Sequence, residues 1–129
     1  MAFMKDLNNE FFSQLKDEDY CYLTTTGRVT GKPHEIEIWF GLNDNTLYLL
    51  SGGMDKADWV KNILKNPSVT VRIAKHTFHV TAYVVTDEKE EIVARNLLAD
   101  KYKERESDGS LSEWARTALP VAIDLVQGE

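Results

Sequence analysis

Nine residues, His34 to Leu42, read HEIEIWFGL and alternate without a break. His34, Ile36, Ile38 and Phe40 fall on one face of an extended chain, and Glu35, Glu37 and Trp39 on the other. The segments on either side restrict what this strand can pair with. GRVTGKP precedes it, punctuated by Gly27, Gly31 and Pro33, and NDN follows. Beyond those turns lie YCYLTTT, residues 20–26, and TLYLLS, residues 46–51. Both are rich in aromatic, β-branched or leucine side chains and read as strands folded back on the first. Short turns between strands make the sheet antiparallel.

The rest of the chain adds helices to that sheet. Residues 3–16 read as an amphipathic helix, with Phe3, Leu7, Phe11 and Leu15 four residues apart. A second helix is predicted over Lys56–Lys65, capped by Asp55 and stopped by Pro67, with Trp59, Val60, Ile63 and Leu64 as its apolar stripe. Ser68–Ile73 and Phe78–Val85 form another hairpin around AKHT. Asp87 opens a long helix to about Glu106, and SDGS breaks it. Ser110 and Glu113 match the S-x-x-E capping box of a short helix to about Ala118, and Pro120 starts a last apolar strand. The sum is an α+β chain of about six mostly antiparallel strands, a small partly closed barrel with helices packed outside. We expect one domain over residues 1–129, with the barrel and its helices over about 20–126.

Composition removes several functions. The net charge of −6 argues against nucleic-acid binding. The N-terminal helix carries acids on its polar face, which argues against a membrane surface. One cysteine, Cys21, permits no intrachain disulfide, fits a cytoplasmic protein, and reads as a core residue. His76 and His79 lack a third ligand, so no metal is expected. Glu35 and Glu37 read as strand carboxylates facing water.

Two glycine turns are the candidate binding elements. Ser51-Gly52-Gly53 ends a strand and leads into a helix, where unpaired N–H groups and small residues suit an anion. Lys56, placed against the positive end of that helix dipole, would then pair with the anion. Arg28 and Lys32 flank the other turn, and their charges suit a phosphate. Should both turns share one end of the barrel, they would form a single positive pocket. Trp59 and Asn62 lie three residues apart on one helix, with Asn62 at the edge of the apolar stripe. Its amide is a candidate to contact a ligand or a backbone group.

The motifs T-T-G-R-x-T-G-x-P, then S-x-G, then W-x-x-N with N-P four residues on, occur here in that order. With YLTTTGRVTGKPHEIEIWF and LPVAIDLV, they make the chain resemble the deazaflavin-dependent nitroreductase and quinone reductase family. Those are split β-barrels related to the pyridoxamine-phosphate-oxidase-like FMN-binding group. The resemblance implies coenzyme F-420, a deazaflavin with a phosphate and a polyglutamate tail. It implies cofactor contacts at Arg28, Lys32, His34, Ser51, Gly52, Lys56, Trp59 and Asn62, and a ring system along the strand from Ile36 to Trp39. It implies hydride transfer to a small hydrophobic, electron-poor acceptor: a quinone, a nitro compound or an activated alkene. Tyr102, the one tyrosine in ADKYKERESDGSLSEWARTA, is the expected proton donor, or else anchors its helix to the core. Trp39 and Trp114 are expected to wall the substrate pocket. A homodimer is the expected assembly.

Val29, His34 and Gly52 stand where relatives often carry further basic residues. Fewer charges favour a smaller anion, so FMN is the alternative cofactor. A further alternative is a non-catalytic cofactor carrier, or a binder of apolar ligands such as fatty acids.

Overall fold

The structure is a computed structural model and describes residues 10–126. Seven strands form a single antiparallel sheet: β1 (Cys21–Thr26), β2 (Pro33–Ile38), β3 (Gly41–Asn43), β4 (Thr46–Ser51), β5 (Ser68–Ile73), β6 (His76–Val84) and β7 (Leu119–Asp124). Their spatial order is β2-β1-β5-β6-β7-β4-β3. The two edge strands, β2 and β3, are therefore consecutive in sequence and joined only by Trp39 and Phe40. Two residues span roughly 7 Å at most. The sheet must curl until its edges nearly meet, and it forms a split barrel.

The unbroken alternation of residues 34–42 predicts one strand, but the chain divides it in two. β2 pairs with β1, with Leu23 opposite Ile36, while β3 pairs with β4, with Leu42 opposite Leu47. Side chains keep alternating through the bend, so the pattern carries no mark of it. Phe40, at the bend, is fully buried.

Curling sorts the side chains into two cores. Leu23, Phe40, Leu47, Leu49, Val71, Ile73, Val121 and Ile123 fill the inside. Residues 10–15 are helical (α1), and Phe12 and Leu15 close that core from below; the expected helix residues 3–9 lie outside the described ones. On the outer side, Tyr48, Leu50 and Ala122 pack against Ala94 and Leu98 of α3 (Glu88–Tyr102) and Ala118. Both faces of β4 are covered, so its five residues from Leu47 to Ser51 are all buried. Burying one such leucine contributes about 1.5–3 kcal/mol.

The helix ends differ from the sequence reading in three places. α2 runs Asp58–Lys65 with Ala57 as an N-cap that makes no side-chain cap bond. Met54–Lys56 form a separate 3-10 turn, which Ser51 Oγ holds by donating to Met54 O at 2.9 Å. α3 starts as expected, with Asp87 accepting from Glu90 N, but ends at Tyr102 because Lys103 adopts a left-handed φ of 58°. Glu104 N then reaches back to Ala99 O at 2.8 Å, which satisfies a helix-end carbonyl. α4 (Glu113–Thr117) is capped by Ser112, not Ser110: Ser112 Oγ accepts from Ala115 N. Among the described residues no helix is long and apolar enough to cross a membrane.

Candidate functional site

β2 is an edge strand, so one side of its backbone has no strand partner among the described residues. A cleft opens at each end of this free edge. His34, Glu35 and Ile36 line the first, and Glu37, Ile38 and Trp39 border the second. One extended segment thus connects two cavities of about 480 and 460 Å³.

The β1–β2 turn and the start of α2 build the first cleft. Gly27 N donates to Lys32 O and Gly31 N to Gly27 O, each at 2.8 Å, and Gly31 takes φ +76°, where a side chain would be strained. A Cβ on Gly27 would come within 2.6 Å of His34 Nε2, so the bare backbone gives the His34 ring its place. Asn62 ties the turn to α2. Its Oδ1 accepts from Arg28 N at 3.1 Å and from Arg28 Nη1 at 2.9 Å, and its Nδ2 donates to Thr25 Oγ1 at 3.0 Å. Asn62 is 4% exposed, and this set of bonds satisfies it.

Arg28 is thereby aimed. Its guanidinium also donates to Asp58 O at 3.4 Å and pairs with Asp58 Oδ1 at 3.1 Å. A guanidinium has five N–H donors, so among the described residues Nε and one Nη2 hydrogen stay open. Val29 N and Thr30 N, on the same turn, make no hydrogen bond among the described residues. Trp59 forms a further wall while packing partly into the inner core. Arginine, two backbone amides and an indole wall make a donor set that suits a phosphate-bearing ring compound.

Aromatic residues from three parts of the chain build the second cleft. Tyr20, Trp39 and Trp114 line it, with Leu50 as its floor and Glu37 and Glu104 at its rim. Trp39 lies edge-on to Trp114, with ring centroids 5.6 Å apart. Trp114 also covers Gly52, whose Cβ position is 3.5 Å from the indole Cδ1. Glu104 is oriented by Ser112 Oγ, which donates to its Oε1 at 2.8 Å.

Arg28, His34, Trp59 and Asn62 meet around the first cleft, and Trp39 and Trp114 around the second. Ser51 is buried with its hydroxyl used by Met54, and Gly52 backs the second cleft. The two glycine turns therefore do not fuse into one positive pocket. Lys56 stands exposed on the 3-10 turn before α2, outside the helix whose dipole would have placed it. Lys32 is exposed on the β1–β2 turn and lines neither cleft. The Tyr102 hydroxyl accepts from Phe40 N at 3.0 Å and lies 2.7 Å from Asp19 O and 3.0 Å from Phe40 O, so backbone surrounds it. Burial pushes its pKa up to about 12. The second cleft's Tyr20, Leu50 and Glu104 escaped the sequence reading, because they stand far apart in the chain and follow no motif.

Comparison with known proteins agrees with this architecture. The chain superimposes on a candidate pyridoxamine 5′-phosphate oxidase from Listeria innocua with a TM-score of 0.70 at 17% identity, over 94% of each chain. It matches a candidate 5-nitroimidazole antibiotic resistance protein from Bacteroides thetaiotaomicron at a TM-score of 0.71 and 16% identity, over 92% of this chain and 80% of that one. An F420-H2-dependent reductase gives a TM-score of 0.63 at 22% identity, over 81% of this chain and 92% of that one. At these identities the likeness speaks for the split-barrel fold. The family whose model matches residues 1–125 speaks for more: it is the F420H(2)-dependent quinone reductase family. The chain belongs to that family, a group of oxidoreductases that take their reducing power from reduced coenzyme F-420.

Proposed function

We propose that the protein passes a hydride from reduced F-420 to a small, flat, electron-poor acceptor, with the coenzyme along the free edge of β2 and the acceptor in the cleft of Trp39 and Trp114. The observation that carries this reading is the continuity of β2 between the two clefts. Bound F-420 supplies the hydride chemistry, and the chain supplies position, dryness and charge.

Each residue's part follows from its contacts. Arg28, fixed by Asn62 and Asp58, offers its open N–H groups to the phosphate region beside Val29 N and Thr30 N. His34 and Trp59 wall that region. The unpaired backbone of β2 presents N–H and C=O groups to the polar edge of a ring system. Trp39 and Trp114 offer aromatic faces and edges to a planar acceptor and keep water from it. Lys32 and Lys56, both exposed and outside the clefts, add only a screened attraction for an anionic tail. We place the activity in the cytoplasm, in line with the buried lone cysteine, Cys21, and in a homodimer, which light scattering would check.

The test has two arms. Oxidised F-420 and FMN are titrated separately against the protein, and reduced F-420 is then oxidised with a quinone, a nitroaromatic and an activated alkene in turn. Trp114→Ala should lower kcat/KM for the acceptor while leaving F-420 affinity unchanged. An unchanged kcat/KM would remove the acceptor from this cleft. Tighter binding of FMN than of F-420 would assign the first cleft to a flavin.

A further inference from the structure

Two acidic residues, Glu37 and Glu104, line the acceptor cleft, and among the described residues no lysine or arginine does; the Glu37 carboxylate also meets the Tyr22 hydroxyl. Among the described residues neither glutamate forms an ion pair, whereas Glu35, two positions before Glu37, is held by Arg72 at 3.5 Å. Glu104 is not a mobile surface acid. It follows the left-handed Lys103, its amide is fixed to Ala99 O, and its carboxylate is fixed by Ser112. Ser112 N in turn donates to Glu104 O at 2.9 Å. Tyr20, Trp39 and Trp114 line the same cleft; Tyr102 covers one face of Trp39, and Trp114 meets Trp39 edge-on. Aromatic walls together with unneutralised carboxylates make a recognised environment for an organic cation.

We infer that the preferred acceptors are planar cations, of the N-alkylated pyridinium or quinolinium class, and that Glu37 and Glu104 set this preference. The inference rests on the acceptor reading of the same cleft. A hydride reaching such a ring forms a C–H bond at a ring carbon, and the C=N π pair moves onto nitrogen. The ring becomes neutral, and the reduced coenzyme, when bound, would supply the hydride and release one proton to water as it is oxidised. No proton has to be delivered to the acceptor, which suits a cleft where the Tyr102 hydroxyl is held by backbone.

Charge decides the selectivity at the transition state. A cationic acceptor is still partly positive there, so the carboxylates attract it. A neutral quinone is partly negative there, and they repel it. An anionic acceptor is repelled throughout. The neutral product of a cationic acceptor also loses its attraction and leaves.

Calorimetric titration of the coenzyme-free protein tests this without turnover. The probes are N-methylquinolinium and quinoline, matched in shape and compared at mildly alkaline pH, where quinoline is neutral. The cation should bind on the order of tenfold tighter, and the ratio should shrink with added salt. Glu37→Gln with Glu104→Gln, which retains an acceptor oxygen for Ser112, should bring the ratio close to one. Glu88→Gln, at the exposed start of α3, should leave it unchanged. Equal binding of both probes by the unaltered protein would overturn the inference and leave the acceptor cleft standing. A cation preference that survives the double substitution would overturn it too, since the overall acidity would then be the cause. If neither probe binds and Trp114→Ala leaves quinone turnover unchanged, the acceptor reading fails and this inference fails with it.

Discussion

The indole of Trp39 lies flat on the phenol ring of Tyr102, with centroids 4.2 Å apart and planes 2° from parallel. The hydroxyl of the same tyrosine accepts from the N–H of Phe40, the next residue, and lies 2.7 Å from Asp19 O and 3.0 Å from Phe40 O. The end of α3 thus sets the wall of the second cleft. Tyr102→Phe keeps the stack and loses the hydroxyl's bonds, so we expect a loss of about 1–3 kcal/mol in stability. Cofactor affinity should hold, and the near-UV circular dichroism of the Trp39–Trp114 pair should change. A fall in kcat with unaltered thermal stability would instead mark the hydroxyl as a proton donor.

Asn62 gives the second prediction. Asn62→Ala would leave Thr25 Oγ1, Arg28 N and Arg28 Nη1 without their present partner. We expect about 1–3 kcal/mol of destabilisation in urea unfolding and weaker F-420 binding, because Arg28 is no longer aimed. Asn62→Asp keeps the acceptor for Arg28 and reverses the bond to Thr25, whose hydroxyl must then donate, while adding a charge to a buried position, and so should lie between the two.

Arg28 and Lys56 form a matched pair of charge removals. Arg28→Ala should weaken F-420 binding by about 1–3 kcal/mol if its open N–H groups meet the phosphate. Its exposed pair with Asp58 contributes little to folding, about 0–1 kcal/mol. Lys56→Ala removes the same charge away from the cleft and should shift affinity by less than about 0.5 kcal/mol. Equal losses at both sites would mean that general charge, not the turn geometry, captures the coenzyme.

The junction also carries a pH signature. Lys101 Nζ donates to Phe40 O at 3.0 Å and sits 3.7 Å from the Phe40 ring centre. Burial lowers its pKa from 10.5 to about 8. Between those values the unfolded chain binds more protons than the native one, so Lys101 makes stability rise with pH. Burial raises Cys21 from 9.0 to about 12 and Tyr102 from 10.0 to about 12. Above their unfolded values these groups hold protons in the native state that the unfolded chain has lost, so they make stability fall. The melting temperature should therefore climb from about pH 8 to 9, level off, and drop beyond about pH 10. Lys101→Met should abolish the climb and keep the drop.

The strands were legible because alternation and turn residues are local signals. Asp87 could be read as a cap for the same reason. Ser110 and Glu113 matched a capping box, yet Ser112 does the capping, because Ser110 is turned back onto Asp108, where its hydroxyl donates to Oδ1 at 2.6 Å. Asn62 was visible as a polar residue at the edge of an apolar stripe. Its partners were not, since Thr25 and Arg28 lie 37 and 34 residues away. The second cleft was half legible: its tryptophans attract notice anywhere, whereas Glu104 gains its position from a left-handed residue and a distant serine that no period encodes.

The two-residue link between β2 and β3 makes chain length itself part of the design. One inserted residue there would reverse the inward and outward assignments of one strand relative to the other. The free edge of β2 and the barrel's lining would then fall out of phase together. Homologues should therefore tolerate many side chains at positions 39 and 40 more readily than a single insertion or deletion between them.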